Sequence, residues 1–184
     1  MTINQIVEKI LVALDEISSA NLLGNQAEYI DKIIPLIDSV QLEIATIIKK
    51  IKKYSEAVSV SKKIDVPADC FEFLKVYDTD MKPLHYGIYN GKIYLLDEEV
   101  TDGTFTLYYN KYPEKITAST LKTSELEISK ECQEALVFGV CASLTINDEP
   151  ELNNTYTDKY NVMLSNIQST MNSVARLVGG KRIW

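Results

Sequence analysis

Histidine occurs once in the sequence, at His85, cysteine three times and glycine only seven times. Each scarcity removes a class of chemistry. A histidine-based triad has a single candidate, and no GxSxG motif accompanies it. With no cysteine pair or acidic cluster near it, His85, in a predicted strand beside Tyr86, reads as a surface or packed residue rather than a ligand or base. Cys132 and Cys141 fall nine residues apart in one predicted helix, a separation of ~13 Å along its axis that no disulfide spans. Cys70 stands alone on the strand side. Without a CxxC pair, the three read as reduced, small apolar residues of a cytosolic protein. The glycines are dispersed at turns and ends, with neither GxxxxGK[ST] nor GxGxxG, so nucleotide binding has no motif support.

Basic residues are also in deficit. The net charge is −7 and the pI about 4.8, which excludes an overall field suited to holding DNA or an anionic membrane. It leaves room for nucleic acid passing through a larger assembly, because a negative lining avoids sticking. The start, MTINQIVEKILVALDEISS, lacks a basic segment and sets Glu8, Asp15 and Glu16 among its apolar positions, so neither a signal peptide nor a membrane span is expected. In a cytosolic chain the sequon at Asn153, Asn154 and Thr155 is a chance match. Asp97, Glu98 and Glu99 lack the ligand spacing of a calcium loop and read as a solvated turn. No catalytic, cofactor-binding or metal-ligating residue is expected.

What the chain does have is an order of parts. At 46% hydrophobic and 24% charged it can bury a core as one domain, or as a helical body carrying a small lobe. Thr2 with Gln5 has capping-box form, and Ile3, Ile6, Val7, Ile10, Leu11, Leu14 and Ile17 trace one helical face. After a turn over Ser18–Asn25, an isoleucine-rich helix is expected from about Gln26 to about Tyr54. Pro35 inside it predicts a kink or short break, read either as a hinge or as a tolerated surface kink. Lys49, Lys50, Lys52 and Lys53 read as the solvated end of that helix, with a phosphate or acidic-partner contact as the other reading.

From Glu56 the period changes to two. Val58 and Val60 alternate with Ser59 and Ser61, and Phe71, Phe73, Lys75 and Tyr77 follow a bend. Asn90-Gly91, between Tyr86–Ile88 and Lys92–Leu95, is the strongest local hairpin signal in the chain, and Asp102-Gly103 marks a further turn before the last strand. Ser129 is the expected N-cap of a third helix from about Lys130, apolar on nearly every side and therefore the most buried. Pro150 opens a long fourth helix.

These elements predict an α+β protein. A helical body of about four helices, 1–55 and 126–178, carries an inserted antiparallel β lobe, 56–113, and a tail, 179–184. Tryptophan and arginine are frequent interface anchors, so Lys181, Arg182, Ile183 and Trp184 after two glycines suggest docking into a partner; a frayed terminus is the other reading. Tyr86, Tyr89, Tyr94 and Tyr108 belong to a tyrosine-rich lobe suited to cross-strand packing with some rings at a protein interface. A stacking platform for single-stranded nucleic acid would need a basic groove that these strands lack.

Four segments carry a family resemblance: AEYIDKIIPLIDSVQLEIATI at Ala27–Ile47, IDVPADCFEFLKVYD at Ile64–Asp78, FTLYYNKYPEKIT at Phe105–Thr117 and LEISKECQEALVFGVCASL at Leu126–Leu144. In order and spacing the chain resembles the head-to-tail adaptor, or connector, proteins of tailed bacteriophages, including the tail tubular adaptors. That resemblance implies a structural virion protein of the viral neck, assembled in the bacterial host cytoplasm. It implies a homo-oligomeric ring, usually a dodecamer, beneath the portal protein, extending the channel for double-stranded DNA and meeting the next tail protein. It places portal docking on the C-terminal segment, Gly179–Trp184. The chain departs from the family pattern in having no long extension after Val178 and in its first helix. A small cytosolic protein-binding module with a tyrosine-rich lobe is the alternative.

Overall fold

The computed structural model describes residues 1–14, 26–49, 51–117, 120, 123–147 and 149–179, and over 26–30 and 171–179 the backbone alone. The portal-docking candidates Lys181, Arg182, Ile183 and Trp184 lie outside the described residues. The chain is α+β, with four helices and two antiparallel sheets among those residues. It divides into a helical unit, Met1–Ile48 with Glu114–Trp184, and a strand unit, Lys49–Pro113.

In the helical unit the capping box forms as the sequence predicts. Thr2 Oγ1 accepts from the Gln5 amide at 3.3 Å and Gln5 Oε1 accepts from the Thr2 amide at 2.9 Å, satisfying two of the donors that a helix start leaves free. Helix α1 (Ile3–Ala13) buries Ile3, Ile6, Val7, Ile10 and Leu11 along one face. Helix α2 (Gln26–Ile48) runs unbroken through Pro35, where a short break was among the expectations. Asp31 and Pro35 both lie on its exposed side, where water can take the carbonyl that proline leaves without a donor. The helix ends at Ile48, six residues short of Tyr54, because Lys49 turns left-handed at φ 53°.

Helix α3 (Lys130–Thr145) packs against the other three, including α4 (Pro150–Gly179). Its buried set, among them Cys132, Ala135, Leu136, Val137, Val140 and Cys141, surrounds the helix. Ser129 is the N-cap, but its hydroxyl turns to Cys132 Sγ at 3.2 Å and makes no cap bond. Burial pushes the Cys141 thiol up to about 12, so it behaves as packing rather than as a nucleophile. Asn153 of α4 donates to the Ala142 carbonyl at 2.7 Å, and the Tyr156 hydroxyl donates to the Ala13 carbonyl, tying α4 to α3 and α1. At Gly139 a β-carbon would sit 2.8 Å from Val40 Cγ1 on α2 and 3.0 Å from Tyr160 Cε2 on α4. The absent side chain lets three helices meet at one point.

In the strand unit, β1 (Lys52–Val58), β7 (Thr104–Lys111), β3 (Cys70–Tyr77) and β4 (Pro83–Leu84) form one sheet in the order β1-β7-β3-β4. A second sheet has the order β2-β6-β5, from β2 (Lys63–Asp65), β6 (Lys92–Leu95) and β5 (Tyr86–Tyr89). Their inner faces meet at Ile64, Val76, Ile93, Leu95, Phe105, Leu107 and Tyr109. The first strand begins at Lys52 rather than near Glu56, so Lys52 and Lys53 pair with Asn110 and Tyr109 of β7 and are not a helix end.

The Val58/Val60 alternation is inverted. Both valines are exposed, at 68% and 71%, and Ser59 between them is buried. The reason is Asp102. Its carboxylate accepts from Ser59 Oγ at 2.9 Å and from the Ser61 and Lys62 amides at 2.7 Å. Ser61 and Lys62 both have positive φ, 53° and 58°, the geometry of a tight type I′ turn, closed by paired bonds between Val60 and Lys63. The turn carries the chain from one sheet to the other, so the local polar network overrides the hydrophobic pattern. The Asn90-Gly91 hairpin forms as expected, with φ 49° and 70°.

Gly139→Ala should lower stability by about 1–2 kcal/mol in urea unfolding followed by circular dichroism, despite alanine's better helix propensity. In a Val40→Ala background the penalty should shrink; an equal penalty in both backgrounds would rule out the steric origin.

Candidate functional site

Pairing between β1, β7 and β3 decides which tyrosines share a surface. Tyr54 faces Tyr108, and Tyr77 faces Thr106, two residues along the same strand. Phe105, Leu107 and Tyr109 alternate with them and point into the core. The outward side of the four-stranded sheet therefore carries Tyr54, Tyr77 and Tyr108 together. The Tyr54 and Tyr108 rings stack at 4.4 Å between centroids and 19° between planes, and Tyr77 lies 6.5 Å from Tyr54. Lys52 Nζ sits 5.8 Å from the Tyr108 ring centroid, within cation–π reach. Lys75, opposite Tyr108 on β3, is exposed.

Of the four tyrosines singled out in the sequence, Tyr108 alone belongs to this cluster. Tyr86 points inward, where it is half-buried, packs edge-on to Phe73 at 5.1 Å beside the lobe's core and donates its hydroxyl to the Leu74 carbonyl at 2.9 Å. Tyr89 and Tyr94 share the outward side of the three-stranded sheet. Tyr89 is 68% exposed, and Tyr94 is half-buried under Lys63 Nζ at 5.5 Å. Tyr54 and Tyr77 were missed as surface residues. The helical periodicity runs on to Tyr54, and only strand register, which the sequence does not display, brings the two rings together.

At the end of the sheet where β1 begins, two carboxylates hold the strands. Asp69 accepts from the Tyr109 hydroxyl and from Lys53, both at 2.8 Å. Burial works against its charge, but these bonds outweigh that and hold the carboxyl below its ordinary range. Glu72 is likewise held low, chiefly by Lys49 at 2.7 Å, with Asn110 adding a second donor. Burial and the neighbouring Asp69 push the Tyr109 phenol up. These groups are consumed in pinning β3 to β1 and β7.

His85 is not in a strand but between β4 and β5, with its side chain 87% exposed. Its Nδ1 and its amide meet the two oxygens of Asp97 at 2.8 and 2.7 Å, and the imidazole bond first, then the amide, holds Asp97 low. Lys62 Nζ donates to the Asp97 and Glu98 carbonyls, so this acidic turn is tied together by its own neighbours. Among the described residues no three metal-ligating side chains converge, and no helix is long and apolar enough to cross a membrane. Compared with known proteins, the chain matches no family model and no curated protein.

Because Asp69 and Glu72 are held below their unfolded values, their contribution is full above the ordinary carboxylate range and is lost as pH falls through the lowered native values. Chemical unfolding between neutral pH and about pH 3 should show wild type losing more stability than the Asp69→Asn/Glu72→Gln double variant. Parallel losses would place the acid sensitivity elsewhere.

Proposed function

We propose that the protein is a structural head-to-tail adaptor of a tailed phage. In this reading about twelve copies form a ring beneath the portal, extend the channel for double-stranded DNA without reading its sequence, and join the portal to the next neck or tail protein. The observation that carries the reading is the arrangement of parts. A strand unit is spliced between α2 and α3 of a helical unit, in the order of the adaptor family that the sequence resembles, and it bears an exposed aromatic face. An acidic chain suits a conduit that must pass DNA without retaining it. The protein has a connecting role rather than a catalytic one, and its place is the virion neck. The tail from Gly179 to Trp184 is assigned to the portal.

Native mass spectrometry and cryo-electron microscopy with the portal ring of the same phage test this directly. A closed ring of about twelve subunits seated on the portal, with a channel wide enough for duplex DNA, is expected. A discrete one-to-one complex with an unrelated protein and no ring would replace it with the small binding module. Deleting residues 180–184 should leave the circular dichroism spectrum unchanged and impair portal docking. Normal particle assembly after the deletion would remove the tail from the mechanism.

A further inference from the structure

The Asn90-Gly91 turn shapes the β5–β6 hairpin, and it also carries chemistry that the adaptor reading does not use. It is the only Asn-Gly step in the sequence. Where glycine follows asparagine, the glycine nitrogen meets no side-chain bulk as it approaches the asparagine carboxamide, so this step is the one most prone to cyclise. Both residues are exposed, a β-carbon at Gly91 would meet nothing within 4 Å, and no described residue accepts a bond from the Gly91 amide. At comparable steps the reacting groups are engaged. Asp102-Gly103 could cyclise in the same way, but Asp102 accepts three hydrogen bonds and the Gly103 amide donates to Ser59 Oγ at 3.2 Å. Asn110 is buried, and the amide that follows it donates to the Ile51 carbonyl at 2.9 Å. Asn153, Asn161 and Asn166 lie inside α4, where the following amides belong to helical bonds.

The closed turn nevertheless holds the reacting atoms apart. With φ of 49° and 70° at its two central residues it is of type I′, and a left-handed Asn90 sets the Gly91 nitrogen trans to its own side chain across the Cα–C bond. Reaction needs that bond to rotate, which the hairpin forbids until it opens. Opening here is local. Strand β5 is an outer strand of four residues paired only with β6, and Ile88 and Tyr89 on it are 50% and 68% exposed. The tip is tied by the Val66 amide to the Gly91 carbonyl at 3.1 Å and by the surface pair of Lys92 with Asp65 at 2.8 Å. Segments with so few buried contacts open at low cost. We infer that Asn90 is a site of spontaneous deamidation, gated by opening of the β5–β6 hairpin. The Gly91 nitrogen, having given its proton to hydroxide, bonds to Asn90 Cγ, and the Cγ–Nδ2 bond breaks to release ammonia, which takes its last proton from water. Water then opens the cyclic succinimide at either carbonyl. Breaking the new bond gives aspartate, and breaking the original main-chain bond gives isoaspartate, whose main chain runs on through Cβ and Cγ. Aspartate before glycine still fits a type I′ turn. Isoaspartate lengthens the main chain of a two-residue loop by a methylene, so the loop no longer matches the register that sets Ile93 in the core opposite Ile88. This chemistry is independent of the adaptor reading.

Incubation of the full chain in warm, mildly alkaline buffer tests the inference, read by peptide mass spectrometry and by labelling with an isoaspartyl methyltransferase. Among the asparagines Asn90 should convert first, with both acids among the products. Conversion should be at least about tenfold slower in the folded chain than in the chain held unfolded in guanidinium, because the closed turn must open before the atoms meet. The isoaspartyl form, separated by chromatography, should lose hydrogen-exchange protection over residues 86–95, whereas the Asn90→Asp variant, which has the same charge and an unaltered main chain, should keep it. Earlier conversion of another asparagine in the folded chain, equal rates in the folded and unfolded chains, or full protection of the hairpin in the isoaspartyl form would each overturn the inference.

Discussion

The helical unit depends on close approach of its helices, and the tightest point is at Gly139, which has no side chain. Helices α2 and α3 are separated in sequence by the whole strand unit, so their contact is long-range and must repay the ordering of everything between them. It does so where Val40, Gly139 and Tyr160 bring α2, α3 and α4 to a single point of close approach. Around that point α3 is buried nearly all round, and the polar atoms it carries inward are satisfied locally. Thr145 donates to the Cys141 carbonyl, and Gln133 donates to the Ile128 carbonyl. A core helix of this kind tolerates little change in volume.

The strand unit rests on a different kind of constraint. Its two sheets share a small apolar core, and polar side chains set the chain's course between them. Asp102 holds two consecutive residues in left-handed geometry without glycine at either, which costs backbone strain at each. Three hydrogen bonds to one carboxylate offset that cost and hold the Asp102 carboxyl below its ordinary range, with the Lys62 amide contributing most. At the other end Asp69 and Glu72 act in the same way. The apolar residues supply the driving force, and these few carboxylates choose the topology.

That division explains what could be read from the sequence. Four helices, an antiparallel insertion and the Asn90-Gly91 turn were legible, because each follows from a local period or a local conformational preference. The errors fell where a nonlocal partner decides. Tyr54 is a strand residue because β7 pairs with it, although it follows a long helical pattern. Ser59 is buried because Asp102 lies across from it. The tyrosines of the lobe are recognisable as a group, but their division into the inward-facing Tyr86 and a surface cluster, Tyr54, Tyr77 and Tyr108, is a matter of register, and a shift of one residue would exchange the sets.

The two strands that bound the insertion, β1 and β7, are paired along their length, and the Lys111 amide donates to the Ile51 carbonyl at 2.9 Å where the chain joins the helical unit. The two ends of the lobe therefore lie side by side, tied to each other before the chain leaves it. To the helical unit such an insert resembles a short loop whose ends are already tied, and loop-closure entropy grows only slowly with the length beyond the knot. Over evolutionary time the lobe can be lengthened, re-faced or exchanged with little effect on the folding of the helical unit, so the two units are free to change at different rates.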